Sequence, residues 1–210
     1  MAMAGLQVPD PDWHSTEIAL LGDTCRRFYL EECAPRYEQW EKQGHVDRDI
    51  WLKAGAIGLL CPSVPEAYGG SGGTFAHDAV IAHGATRFGV DGLGLALHNS
   101  IVTPYLLNYG SEDQKRRWLP KLASGESIAA IAMTEPAAGS DLQGIRMTAK
   151  RRGNHYVLNG QKTFITNGQL AGLIVVVAKT DPSMGAKGTS LFVVETEDSG
   201  GFRRGRNLDK

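Results

Sequence analysis

Residues 129–168 place hydroxyls and backbone amides together in a segment whose composition resists regular structure. An apolar run ending in Ile131-Ala132-Met133 leads into Thr134-Glu135-Pro136-Ala137-Ala138-Gly139-Ser140-Asp141, where Pro, Gly and small side chains interrupt helix and strand alike. The hydroxyls of Thr134 and Ser140, with the amides of residues 137–140, are donors of the kind that a phosphate or a heterocycle edge requires. Small side chains also let a flat ligand approach the backbone closely. The same composition makes an ordinary surface turn after a strand, so the loop by itself leaves both readings open.

The elements around the loop must position it. Residues 128–133 read as a buried strand. On the far side, Asn159-Gly160 separates Tyr156-Val157-Leu158 from Gln161-Lys162-Thr163-Phe164 and predicts a type I′ hairpin, since both central positions of that turn need positive φ. The hairpin would carry Phe164, Ile165 and Thr166 on a strand over residues 162–166. Further strands are expected at 147–151, 173–179 and 190–196, with 173–178 central and 181–188 a polar excursion.

Residues 16 to about 125 have a different grammar. Ile18, Leu21, Cys25 and Phe28 recur at helical steps, and Tyr29, Cys33, Tyr37 and Trp40 continue the stripe, with Pro35 expected to kink it. Asp47 is a candidate N-cap for a helix bearing Ile50, Trp51, Ala54 and Ile57 that Gly58 would stop. Ser111 and Gln114 form a capping box just after Gly110. Residues 61–74, rich in Pro and Gly, read as either a plain connector or a ligand-facing loop, and spacing does not decide between them. The expected fold class is α+β, with a helical domain over residues 1–126 followed by an antiparallel, β-barrel-like middle domain over 127–210 that is incomplete at its C-terminal end.

Composition narrows the function. Lys and Arg number 22 against 23 Asp and Glu, giving a net charge of −1, so no broad basic field draws nucleic acid. Arg151-Arg152 and Arg203-Arg204-Gly205-Arg206 are local exceptions without an aromatic stacking pattern beside them. No apolar run approaches the ~18 residues of a membrane span. Cys25, Cys33 and Cys61 fit neither a disulfide framework nor a Cys-x-x-Cys site and read as reduced, buried thiols. The six histidines lack metal-binding spacing, so no metal is expected. Residues 1–17 lack a signal core and an Arg-rich transit pattern, which makes a cytoplasmic location the expectation.

The whole string resembles the acyl-CoA dehydrogenase family in order and spacing: Met133 to Asp141 as written above, then Asn159-Gly160-Gln161-Lys162, then Phe164-Ile165-Thr166-Asn167-Gly168. Pro65-Glu66-Ala67-Tyr68-Gly69-Gly70-Ser71-Gly72-Gly73 and Gly110-Ser111-Glu112-Asp113-Gln114-Lys115 resemble that family's helical half. The resemblance implies bound FAD, with residues 131–140 along the flavin, Thr134 bonding its pyrimidine side and Ser140 near both the pyrophosphate and the thioester ligand. Phe164 would pack on the ring, and the Thr166 hydroxyl, following Ile165, would support charge at N5. Two departures stand out. Ala137 replaces a more usual Gly, which matters if that position needs positive φ, and Phe164 replaces a frequent Trp, as in the long-chain branch.

The implied reaction removes a Cα proton and a Cβ hydride from an acyl thioester, on CoA or on an acyl carrier protein, with an electron-transfer flavoprotein or similar acceptor taking the electrons. The family glutamate that serves as base belongs to a C-terminal helical domain, so no catalytic residue is expected in this chain, which would be a fragment inactive alone and a homotetramer when full length. Glu135 is expected to be structural or solvent-facing. Flavin oxidases and monooxygenases share the framework, and a non-catalytic remnant or interaction module is the alternative from another class.

Overall fold

The computed structural model describes residues 12–207. Its first part is helical. Helix α1 (Thr16–Arg27) begins at Ser15, whose hydroxyl accepts the Ile18 amide at 3.3 Å. The stripe predicted to kink at Pro35 does so by changing pitch. A π-helical stretch (Phe28–Cys33) and a 3-10 turn (Ala34–Arg36) absorb the missing proline N–H before α2 (Tyr37–Gln43).

Helix α3 (Arg48–Ala56) starts at Asp47, but the Asp47 carboxylate accepts from the Gln43 side chain instead of capping amides. Helix α4 spans Phe75–Arg87, a π-helical stretch (Leu97–Val102) runs into α5 (Thr103–Tyr109), and α6 covers Glu112–Ala123. The Ser111–Gln114 capping box forms as expected, with bonds of 2.9 and 3.3 Å. Among the described residues, no helix is long and apolar enough to cross a membrane.

The second part is a five-stranded sheet: β1 (Ala129–Ala132), β2 (Thr148–Arg152), β3 (His155–Asn159), β4 (Leu173–Lys179) and β5 (Thr189–Glu195). Strand β4 is central, as its unbroken apolar run requires. It pairs antiparallel with β5 from Leu173↔Glu195 to Lys179↔Thr189, and parallel with β1 from Ala129↔Leu173 to Ala132↔Val176. It meets β2 in parallel at Thr148↔Lys179, and β2 pairs antiparallel with β3.

The antiparallel expectation therefore holds for the two locally connected pairs. It gives way to a mixed, open sheet where β1 and β4, the latter apolar from Leu173 to Ala178, are joined by a long excursion that permits a parallel crossover. The β2–β3 hairpin turns at Gly153-Asn154 rather than at Asn159-Gly160. Gly160 serves a close approach instead of a turn, since a Cβ there would sit 2.7 Å from Met147 Cγ.

Strand β1 is covered on both faces. Ala129 and Ile131, with Leu173 and Val175, pack toward Val102, Leu106, Leu119 and Leu122 of the helical layer, while Ala130 and Ala132 join Ile174 and Val176 on the opposite side. His98 ties the layers together from the buried interior. Its Nδ1 accepts the Ala129 amide at 3.0 Å and its Nε2 donates to the Leu122 carbonyl at 3.2 Å, which defines a neutral imidazole. Burial pushes the His98 pKa down to about 4. The loop at the exposed end of β1 is thus launched from a fully anchored strand.

Candidate functional site

Beyond β1 the chain turns sharply. Glu135 and Ala138 exchange two backbone bonds, Glu135 N–H to Ala138 O at 2.9 Å and Ala138 N–H to Glu135 O at 3.1 Å, leaving Pro136 and Ala137 at the tip. Proline's fixed φ suits the first tip position. Ala137 is absent from the residues with positive φ, so alanine fits where glycine is more usual. Pro136, Ala137, Gly139 and Ser140 are exposed, and Ala138 is buried against Ile145 and Val177.

Glu135 is buried, with 7% of its surface accessible. It accepts the Arg146 amide at 2.6 Å, the Met147 amide at 2.9 Å and the Lys162 ammonium at 2.9 Å. Burial pushes its pKa up, but these three donors together outweigh that and hold the carboxyl below its ordinary value. Glu135 is thus a structural anion, and of the two expectations for it the solvent-facing one fails because every nearby donor is turned inward.

Lys162 also donates to the Met133 carbonyl at 2.8 Å. Reasoning from sequence did not single out Lys162 in this role. A signal was present only in its isolation, since it is the one charged residue between His155 and Lys179.

Residues 162–168 form no strand. The Thr163 amide donates to the Thr134 carbonyl at 2.9 Å, and the chain then coils through Phe164 at φ 56° and Asn167 at φ 64°. The bonds that a strand would give to a neighbour go to the loop and to a local turn, with Gly168 N–H on the Ile165 carbonyl at 3.0 Å. The Ile165 side chain packs into the sheet's apolar face, whereas Thr166 is exposed. Asn167 pins the turn, its Nδ2 donating at 3.2 Å to the carbonyls of both Ala129 and Gly94. Gly94 has φ 72°, and a side chain there would run into the Asn167 carboxamide.

Phe164 is 70% exposed and holds a backbone conformation that costs a non-glycine residue about 1 kcal/mol. An aromatic held this way presents its ring outward at an energetic cost that the core does not recover. Phe164→Gly should therefore be more stable than Phe164→Ala by about 1 kcal/mol in chemical denaturation, because only the glycine relieves the strain. Equal stabilities would show that the turn relaxes once the ring is gone.

The structure thus brings Met133, Thr134 and Glu135 directly against Lys162 and Thr163, with Phe164 next in line. Ile131 and Ala132 lie in separate buried clusters and support the loop from beneath. None of the hydrogen bonds among the described residues uses the hydroxyl of Thr134, Ser140 or Thr166, so these donors are available to a ligand. Two concavities lie elsewhere. One sits between α4 and residues 91–96, lined by Ile81, Ala85, Leu93 and Gly94, and the other on the β2–β3 hairpin beside Lys150, Arg152 and Asn159.

Glu195 is held by Arg117 and by Trp118 Nε1, and Asp78 is buried beside Ser100. Among the described residues, no group of three His, Cys, Asp or Glu side chains could hold a metal ion.

Family models described as "Acyl-CoA dehydrogenase, N-terminal domain" and "Acyl-CoA dehydrogenase, middle domain" match residues 15–126 and 130–210. The long-chain specific acyl-CoA dehydrogenase, mitochondrial, of Mus musculus is 45% identical over 198 residues, covering 93% of this chain and 46% of that protein. An acyl-CoA dehydrogenase from Geobacillus kaustophilus superposes with a TM-score of 0.92 at 49% identity, covering 96% of this chain and 53% of that one. A glutaryl-CoA dehydrogenase from Mycobacterium smegmatis in complex with FADH2 superposes with a TM-score of 0.79 at 30% identity, over 90% of this chain and 47% of its own. The chain spans about half the length of the relatives that it matches.

Proposed function

The chain belongs to the acyl-CoA dehydrogenase family, and from this we propose that it carries the flavin-binding part of an FAD-dependent enzyme that oxidises an acyl thioester to the trans-2-enoyl thioester. The observation that carries the reading is the placing of an exposed, conformationally strained Phe164 beside a loop with unused hydroxyls, locked through Thr163 to Thr134 and through Lys162 to Glu135. An ordinary turn has no need of such construction. The FADH2 complex of the glutaryl-CoA dehydrogenase supports the choice of cofactor.

The donor set fits the group. FAD, when bound, supplies the hydride acceptor. Thr134 would donate to the flavin's pyrimidine edge and Ser140 to pyrophosphate and thioester, the backbone of residues 131–140 would run along the cofactor, and Phe164 would shield the ring from water. Thr166 would place its hydroxyl where charge accumulates. Residues 1–126 would be the helical domain and 127–210 the middle domain in this reading, residues 1–11 and 208–210 lying outside the described residues.

In this reading the Cα base is not Glu135 or Glu195. Glu135 and Glu195 are both committed to other partners, which supports a base supplied by a C-terminal helical domain, as the family pattern implies. The substrate is a thioester of CoA or of a carrier protein, with long-chain preference the reading that the mouse relative favours. The electron acceptor is an electron-transfer flavoprotein or a similar carrier, and the working form is a homo-oligomer.

Added FAD should raise the unfolding free energy by RT ln(1 + [FAD]/Kd), about 2.7 kcal/mol at one hundred times Kd, with quenched flavin fluorescence on binding. Absence of both effects would remove the cofactor assignment. These 210 residues should also show no acyl-CoA oxidation with an artificial acceptor, and turnover would overturn the placement of the base.

A further inference from the structure

We propose that Lys162 is a positioning residue, one that touches no ligand itself and sets the Thr134 hydroxyl at its place relative to Phe164. The inference rests on the flavin reading above. The ammonium brackets Thr134, bonding the carbonyl of the residue before it at 2.8 Å and the carboxylate of the residue after it at 2.9 Å. The next residue along, Thr163, takes the carbonyl of Thr134 itself at 2.9 Å, and Phe164 follows directly. Three consecutive loop residues are thereby fastened to two consecutive residues of the turn. Glu135 extends the fastening through the Arg146 and Met147 amides to the start of β2.

The net stability of the ion pair alone does not explain this arrangement. Both side chains are nearly inaccessible, at 8% for Lys162 and 7% for Glu135. A buried ion pair pays desolvation on both ions, and a well-packed apolar pair of the same volume is often as stable or more so. What the apolar pair cannot do is bond a backbone carbonyl and a carboxylate from one atom. A short donor would not reach both, and a longer apolar side chain would leave the Met133 carbonyl unpaired. Geometry is the property that only this cation supplies. The hydroxyl donor and the aromatic ring of a flavin seat lie on segments far apart in sequence, so their relative placement must be built by a contact between those segments. Lys162 is that contact.

The test compares wild type, Lys162→Arg, and the charge-neutral double variant Lys162→Met/Glu135→Gln, which keeps both side-chain volumes and avoids an unpaired buried charge. In the ligand-free proteins, the Thr163 amide of the double variant should exchange with solvent at least tenfold faster than in wild type, while amides of the β4–β5 pair are unchanged. With FAD, the double variant should bind at least tenfold more weakly and show a shifted visible flavin band, and Lys162→Arg should restore both in part. A purely structural role would lower the unfolding midpoint and leave the spectrum of bound flavin as in wild type, which overturns the proposal. Unchanged exchange at Thr163 overturns it as well. Failure of the wild-type protein to bind FAD would instead sink the functional reading, and the exchange result stands apart from that outcome.

Discussion

Lys162→Met alone should lower the unfolding free energy by about 3–5 kcal/mol. The change removes one ion from a pair that both ends bury and leaves the Glu135 carboxylate with two amides and no counter-charge. Exposed pairs of this chain set the contrast. Lys42 and Glu38 lie 2.6 Å apart, yet their side chains are 74% and 82% exposed, and such pairs are worth about 0–1 kcal/mol. Urea denaturation at neutral pH measures the difference directly. Adding Glu135→Gln to Lys162→Met should recover part of the loss, because the orphaned charge goes with it. A loss below about 1 kcal/mol for the single variant would mean that water reaches Glu135.

The second large effect is a loss of stability in mild acid. Folded His98 stays neutral, with its pKa lowered by burial to about 4, while the unfolded chain titrates it near the ordinary value of 6.5. Between those values the unfolded state binds a proton that the folded state refuses. Stability therefore falls as pH drops from about 6.5 toward 4, by roughly 3 kcal/mol in all, and this group contributes no slope above that window.

Glu135 acts in a separate range. Its folded pKa is depressed, so the stability that it contributes is present above its unfolded value of 4.5 and is lost as pH falls through the folded one. Burial raises the Asp78 carboxyl, which acts with the opposite sign, so the difference between wild type and His98→Gln between pH 6.5 and 5 isolates the histidine. Unfolding free energies measured across that interval should decline in wild type and flatten in His98→Gln. A flat wild-type profile would show that the imidazole is protonated in place.

What sequence revealed and what it hid divide along physical lines. Periodicity located the helices and the apolar β4, since a 3.6-residue stripe and an unbroken apolar run both report burial directly. Capping at Ser111 was legible because it is a contact between near neighbours. The turn at Phe164 was misread as a strand because its backbone bonds go to Thr134, a partner distant in sequence, and side-chain types say nothing of that partner. The same reason hid the β1–β4 pairing direction and the fastening role of Lys162. Asn159-Gly160 carried a genuine turn signal, but the hairpin formed earlier, at Gly153-Asn154, where two residues sufficed. Resemblance points to Thr134, Ser140, Phe164 and Thr166, and the structure adds that Ser140, Phe164 and Thr166 are exposed while Thr134 is half-buried.

The parallel pairing of Ala129 with Leu173 has a kinetic consequence. The hairpins β2–β3 and β4–β5 are local and close quickly, whereas β1 meets β4 only after the whole intervening segment is looped out. Both the loop of residues 133–140 and the turn of 162–168 lie within that segment. They gain their mutual placement in the slowest step of assembling the sheet, so a ligand that needs both can capture only chains in which that closure is complete.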